Sequence, residues 1–425
     1  MRKKHYFAPG FKTPFSLFKR YPTMKYYIIA GEASGDLHGS NLIKELHKID
    51  ASAIIHCWGG DLMQSAGATL VKHYKQLAFM GFAEVVKNLP VIFRNIKFCK
   101  QDILAFQPDV LVLIDYPGFN LRIAAWAKLQ HLKIIYYISP QVWAWKANRV
   151  KKMKQSIDKM LVILPFEKEY YKNKWNWEVE YVGHPLVEEI DKCRLAINRK
   201  PLAIEYPIDN TQVTKNSTPI ASLDAISESI KAQFSLTDKI IALLPGSRKQ
   251  EIAVKLPIML LMAKAFPDYQ FIVAKAPGQD DDFYQPFLAP YHNVASVRNQ
   301  TYDLLLQSKA ALVTSGTATL ETALFSVPQV VCYKGSNISF QIAKRLIKIK
   351  YICLVNLIMD KPVVTELIQK DLTEKNLVHE LTQLLTNQQK QQQLQEDYKT
   401  LKDILSAGGH ASSTAAKSIY QFITI

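Results

Sequence analysis

Short runs of β-branched and aromatic residues alternate with amphipathic stretches along this chain. Residues 26–30, 54–58, 110–114 and 134–138 have the length and composition of strands, and 41–48, 91–106 and 121–130 between them place apolar residues at helical spacing. Runs that are apolar at every position, such as Val110–Ile114, predict strands covered on both faces, and the strand–helix–strand succession predicts a parallel sheet. The pattern fades over 198–238, rich in Pro, Ser, Thr and Asn, and then restarts. There 240–244, 270–274, 310–313 and 329–332 read as strands, and 252–265, 302–308 and 318–325 as helices. Two further helices, 388–405 and 412–422, are separated by Gly408-Gly409. The fold class is α/β, with two Rossmann-like domains facing a cleft and C-terminal helices that either cross back or swap to a partner. The expected division is a disordered basic leader at 1–23, an N-terminal domain at 24–190, a linker with an insertion near 209–218 at 191–238, a C-terminal domain at 239–390 and terminal helices at 391–425.

Composition narrows the classes. With 425 residues, 48% hydrophobic and 21% charged, the chain can bury a large core, which excludes disorder and fibre. Its formal charge of +16 draws anionic partners: nucleic acid, an acidic membrane or a phosphorylated substrate. Cys57, Cys99, Cys193, Cys332 and Cys353 form no CxxC pair, so neither a disulfide framework nor a zinc site is predicted, and a reducing cytoplasm fits. No apolar run reaches the roughly 20 residues of a membrane span. The leader carries six cations and no acid, but it lacks the apolar core of a secretory signal.

Four segments following strands carry candidate chemistry. In Ala30-Gly31-Glu32-Ala33-Ser34-Gly35-Asp36-Leu37-His38-Gly39, small residues at a helix start let backbone N–H groups approach an anion, and Glu32, Asp36 and His38 add titratable groups. A plain turn with Asp36 as helix cap accounts for the same spacing. Asp115 ends the strand 110–114 and is placed at the cleft mouth, where a general base must sit; capping a helix that starts near Asn120 is the alternative. In Ser139-Pro140-Gln141-Val142-Trp143-Ala144-Trp145-Lys146, two indoles precede Arg149, Lys151, Lys152 and Lys154, suiting nucleobases or a lipid headgroup boundary, with Trp145 packed in the core as the bland reading. Leu243-Leu244-Pro245-Gly246-Ser247-Arg248 and Thr314-Ser315-Gly316-Thr317-Ala318-Thr319-Leu320-Glu321 leave the second sheet as two phosphate-suited loops, with Arg248 as a phosphate clamp and Glu321 as an acceptor for ribose hydroxyls. The apolar stretch 77–93 could cover an acyl chain, dip into a membrane face or form ordinary core helices. Asp280-Asp281-Asp282 is expected in an exposed loop, and no metal or other cofactor is expected.

The ordered motifs GEASGDLHG, MGFAEVVKNL, PDVLVLIDYPGFN, YYISPQVWAWKANRV, LPFEKEYY, YVGHPL, LPGSRKQEI, SGTATLETAL and AKRLIKIKYICLVN resemble the lipid-A-disaccharide synthase family from about Tyr26 onward. The resemblance implies an inverting, metal-independent GT-B glycosyltransferase. It would transfer 2,3-diacylglucosamine from UDP-2,3-diacylglucosamine to 2,3-diacylglucosamine 1-phosphate, giving the β-1,6-linked lipid A disaccharide 1-phosphate of Gram-negative bacteria and UDP. It assigns Asp115 and Arg248 to catalysis. It assigns Ser315, Gly316, Thr317, Glu321 and Asn356 to substrate binding, where Glu32, Ser34, Asp36 and Ser247 of the strand-end loops join them as candidates. The family pattern Asp-Ala-Pro-Asp-Phe-Asn appears here as Asp115-Tyr116-Pro117-Gly118-Phe119-Asn120, so the second aspartate is absent and Asp115 alone carries the base role.

A UDP-sugar enzyme without lipid substrates, such as a 2-epimerase or a soluble glycosyltransferase, is the rival within the fold. A nucleic-acid-binding protein would explain the charge but leaves SGTATLE and LPGSR without a role, so no nucleic-acid partner is expected. The charge clusters in the leader, in 146–159, and in Lys334, Lys344, Arg345, Lys348 and Lys350. With the resemblance, that distribution implies cytoplasmic protein held peripherally on the anionic lipid of the inner face of the inner membrane, and leaves a homodimer open.

Overall fold

The computed structural model describes residues 23–77, 89–195, 202–207, 239–335 and 350–424. The leader, most of the apolar stretch before Leu89, the insertion, and Lys344, Arg345 and Lys348 lie outside the described residues.

Two parallel sheets organise the chain. The first contains β1 (Lys25–Ala30), β2 (Ile54–Gly59), β3 (Thr69–His73), β4 (Val110–Ile114), β5 (Ile134–Tyr137), β6 (Lys159–Val162) and β7 (Glu180–Tyr181), in the order β3-β2-β1-β4-β5-β6-β7. The second contains β8 (Ile240–Leu244), β9 (Gln270–Lys275), β10 (Val294–Arg298), β11 (Ser308–Thr314), β12 (Gln329–Tyr333) and β13 (Thr365–Ile368), in the order β10-β9-β8-β11-β12-β13. Central strands are apolar throughout because helices cover both faces: all five residues of Val110–Ile114 have no exposed surface. In each sheet the chain builds outward from its first strand, returns, and builds the other way. β1 therefore pairs β4 with Ala30 beside Ile114, and β8 pairs β11 with Leu244 beside Val313. Loops leaving such neighbours diverge and open a crevice.

Helices begin earlier than their apolar periodicity. The first is Ala33–Ile49 and the one after β4 is Pro117–Leu129. Pro117 occupies the first helical turn, where its missing N–H costs nothing and its fixed φ is already helical, so Pro117 and Gly118 start the helix rather than delay it to Asn120. Asp281 and Asp282 begin the helix Asp281–Leu288 instead of lying in a loop, with Asp280 at its N-cap position, and Asp281 pairs with Arg298 at 2.6 Å and with Lys275 at 2.5 Å. Part of the expected linker is also ordered: Glu205 bridges to the edge strand at Ser296, N–H to O at 2.8 and 2.9 Å.

The terminal helices cross back onto the same chain. Gln388–Ser406 buries Leu394, Tyr398, Leu401 and Leu405 in the core of the second sheet, whereas Ala411–Thr424 buries Ala415, Ala416, Ile419 and Ile423 in the core of the first, against Ala33–Ile49. The crossing depends on glycine. A Cβ on Gly408 would lie 2.1 Å from the Gly183 nitrogen, and one on Gly183 would lie 2.3 Å from the Gly409 oxygen. Around this contact the Tyr181 hydroxyl donates to the Leu405 carbonyl at 2.8 Å, and the Leu405 carbonyl also accepts from the His184 N–H at 3.2 Å. Gly408→Ala is expected to lower Tm well beyond a surface substitution, costing about 2 kcal/mol or more. A melting curve unchanged from wild type would show that the backbone contact does not govern the crossing.

Candidate functional site

At the β1/β4 crevice, Asp115 and Tyr116 both adopt left-handed backbone, φ 42° and 48°, a conformation costing roughly 1–2 kcal/mol for a residue with a side chain. Two side chains hold it. The Tyr136 hydroxyl donates to the Asp115 carbonyl at 2.5 Å, and the buried Asn120 amide donates to the same oxygen at 2.8 Å and to the Ile114 carbonyl at 3.2 Å. The Tyr116 ring occupies the space where Gly31 would carry a Cβ, 2.3 Å away, so the first loop must have glycine there. Sequence reasoning missed Asn120 and Tyr136 as supports; the asparagine of DYPGFN was the visible signal.

Burial pushes the Asp115 carboxyl up to about 6, with the charge of Glu32 adding to the rise and the Tyr116 backbone N–H opposing it. Glu32 and Asp115 thus form a carboxylate pair across the crevice. Glu32 and Ser34 are exposed at the helix start, open to a ligand. Asp36 is committed elsewhere. It is 3% exposed, and its oxygens accept from the N–H groups of Gly60 at 2.7 Å, Met63 at 3.0 Å and Leu62 at 3.2 Å. It therefore caps not its own helix but Asp61–Ser65. Nearby, burial lowers His38 to about 4 and His184 to about 3, with His38 further lowering His184, so both imidazoles are neutral at pH 7.

The two indoles divide in the opposite sense to the bland reading. Trp143 packs edge-on against Phe166 at 4.9 Å, while Trp145 is 51% exposed with the Lys146 ammonium 4.1 Å above its ring. Glu167, 1% exposed, accepts the Leu164 N–H at 3.1 Å at the start of its own helix, and burial pushes its carboxyl up to about 8.

At the β8/β11 crevice, a cavity of about 300 Å3 is lined by Gly246, Ser247, Glu251, Thr314 and Lys275 among others, and by Ser315, Gly316, Thr317, Ala318 and Glu321. Gly246 and Gly316, φ 114° and 139°, take backbone conformations open to glycine. Gly316 caps the helix Thr317–Leu324, whose first N–H groups have no partner within the helix and border the cavity. Burial raises the Glu321 carboxyl, opposed by the Tyr302 hydroxyl, which donates to Oε1 at 3.3 Å. The cavity thus gathers Ser247, Ser315, Gly316, Thr317 and Glu321. Arg248 stands at its edge, its side chain 72% exposed and 3.3 Å from Glu251. Asn356 is outside the lining. It is 1% exposed, donating to the Val364 carbonyl at 2.9 Å and to Glu366 at 3.1 Å, and accepting the Val364 N–H at 2.9 Å, so it clips the segment before β13.

A carboxyl raised to about 6 holds its proton in the folded chain over a range where the unfolded chain has lost it. Stability therefore falls as pH rises from the ordinary aspartate value to about 6, and the loss persists above. Asp115→Asn is expected to be more stable than wild type at about pH 8, by on the order of 2 kcal/mol, and the difference is expected to vanish in acid. Equal denaturation midpoints at both pH values would contradict the buried, raised carboxyl.

Comparison with known proteins fits this geometry. A family model described as lipid-A-disaccharide synthetase matches residues 26–211 and 221–422. The lipid-A-disaccharide synthase of Geobacter metallireducens is 34% identical over 399 residues, covering 93% of this chain and 96% of that protein. That of Coxiella burnetii (strain CbuG_Q212) is 36% identical over 406 residues, covering 93% and 98%. Among solved structures, the UDP-GlcNAc 2-epimerase from Neisseria meningitidis bound to UDP-GlcNAc superposes with a TM-score of 0.61 at 13% identity, covering 94% of this chain and all of that one. The glycosyltransferase of kitacinnamycin does so with 0.58 at 13%, covering 94% and 99%. These structural likenesses show the two-domain GT-B fold.

Proposed function

Since the chain belongs to the lipid-A-disaccharide synthase family of glycosyltransferases, which serves lipid A biosynthesis, we propose that it joins UDP-2,3-diacylglucosamine to 2,3-diacylglucosamine 1-phosphate. The products are the β-1,6-linked disaccharide 1-phosphate and UDP. The observation that carries this reading is the pair of unlike crevices, one built round a raised carboxylate and the other round two phosphate-suited loops.

Asp115 is the base. A sugar hydroxyl is a weak nucleophile at neutral pH, and a carboxylate with its pKa near 6 is both ionised at pH 7 and basic enough to take the 6-hydroxyl proton as that oxygen attacks the anomeric carbon. Attack from the face opposite the leaving diphosphate inverts the configuration. Glu32 and Ser34 border the acceptor. In the second crevice the N-terminus of Thr317–Leu324, Ser247 and Ser315 take the diphosphate, Glu321 takes ribose hydroxyls, and Arg248 swings from Glu251 to the phosphates as negative charge develops. The reaction proceeds without a metal. Asp36 and Asn356 support these loops from behind.

Mixing the two acylated sugars with the protein is expected to release UDP, with or without EDTA. No release from the pair, or epimerisation of the donor instead, would overturn the reading, and inhibition by EDTA would overturn metal independence. Asp115→Asn is expected to lose about 100-fold or more in turnover with donor binding retained, and near-normal turnover removes Asp115 as base. Arg248→Ala is expected to weaken UDP binding and turnover by about tenfold or more, and unchanged kinetics removes that role.

A membrane face fits the lipid substrates. Among the described residues no helix is long and apolar enough to cross a membrane. The helix Leu89–Phe106 exposes Phe93, Phe98 and Leu104 beside Arg94 and Lys97, with the Arg122 guanidinium 5.8 Å from the Phe93 ring centre. Such a face seats aromatics among lipid headgroups and cations on anionic phosphate. The protein is placed on the inner face of the inner membrane by this reading. It is expected to co-sediment with vesicles in proportion to their anionic lipid, less so in high salt, and indifference to both would refute the attachment.

A further inference from the structure

Lys255 lies within the helix Lys249–Ala265, two turns beyond the loop Gly246-Ser247-Arg248, and its side chain is 5% exposed. An isolated buried ammonium is unfavourable unless paired. Its carboxylate neighbour, Glu251, is 3.8 Å away, one-third exposed and shared with Arg248 at 3.3 Å, so one negative charge serves two cations. Lys255 instead donates to the Thr314 hydroxyl at the end of β11. An ammonium can only donate, so Thr314 Oγ1 accepts from it and keeps its own proton for another acceptor. Thr314 borders the cavity alongside Gly246, Ser247 and Ser315. The result is a fixed positive charge beneath both loops, joined to the cavity wall through one hydroxyl. Thr314 opens the second phosphate-suited loop, but its pairing with Lys255 carries no motif signal, since the two are separated by 59 positions.

We propose that Lys255 and Thr314 form a polarised donor pair for the nucleotide's diphosphate: Thr314 donates to a phosphate oxygen, and Lys255 is a positioning residue that orients and strengthens that donation from within the core. This rests on reading the cavity as the UDP site. Polarisation by a neighbouring ammonium makes a hydroxyl a stronger donor, and the buried charge attracts the anion with little screening. The effect grows as the glycosidic bond breaks and charge moves onto the departing diphosphate, so the pair assists departure more than substrate binding.

Calorimetric titration of UDP, UMP and uridine into wild type, Lys255→Met, Thr314→Val and Thr314→Ser tests the pair, with Tm recorded for each. Wild type is expected to bind UDP more tightly than UMP. Thr314→Val and Lys255→Met are each expected to lose about tenfold in UDP affinity with uridine affinity unchanged, and the double variant little more than either alone. Thr314→Ser, which keeps the hydroxyl, is expected to restore the preference for UDP. In steady state the two loss variants are expected to lower kcat more than they raise KM for the donor. If the UDP-to-UMP affinity ratio of folded Thr314→Val equals that of wild type, the pair has no such role, whatever becomes of Lys255→Met. If wild type itself fails to bind UDP, the nucleotide reading of the cavity falls, and the pair's role with it.

Discussion

The divergence of the chain at two pairs of parallel strands is the constraint on which the rest of the molecule depends. β1 must lie beside β4, and β8 beside β11, while the connections leaving them run to opposite sides of their sheets. At the gap between the diverging connections, loops with spare backbone N–H groups and carboxylates meet. Both candidate sites follow from this topology. Asp115 and the Gly246 and Gly316 loops occupy equivalent positions in two sheets of different sequence.

Both crevices are also where the chain departs from what favours folding. Two consecutive side-chain-bearing residues sit in left-handed backbone at Asp115-Tyr116, and burial raises that carboxyl. On the other sheet burial raises the Glu321 carboxyl and lowers the Lys255 ammonium. Each departure is held by neighbouring side chains: the fully buried Asn120 and Tyr136 in the first case, Thr314 and Tyr302 in the second. Such tension between stability and chemistry is the expected mark of a functional site. The return of Ala411–Thr424 to the first sheet ties both halves through one chain, and it explains why Gly408-Gly409 interrupts two otherwise continuous helices.

The central strands were legible because burial on both faces leaves an uninterrupted apolar signature; Val110–Ile114 and Ile240–Leu244 match residue for residue. The strands that escaped were short or peripheral. Thr69–His73 and Thr365–Ile368 are edge strands that mix polar with apolar residues without a strand period, and Glu180–Tyr181 is two residues long. Helix starts were read late because their first turns, Ala33–Asp36 and Pro117–Asn120, are small or polar and show no period. Among the candidate residues, placement at a crevice was legible for those that follow a strand end: Asp115 beyond β4 and Ser315–Thr317 beyond β11. Asp36 and Asn356 were not, since a carboxylate or amide that could meet a ligand can equally satisfy backbone groups brought near only by folding. Lys255 was hidden for the same reason in reverse.

In the proposed function the two crevices divide the labour, nucleotide at β8/β11 and reacting hydroxyl at β1/β4. A crystal structure with UDP bound is its most direct test. The diphosphate is expected against Ser315, Gly316 and Thr317, within hydrogen-bond reach of the N–H groups that begin Thr317–Leu324, with the ribose beside Glu321. A diphosphate seated instead against Gly31, Glu32 and Asp115 would contradict it.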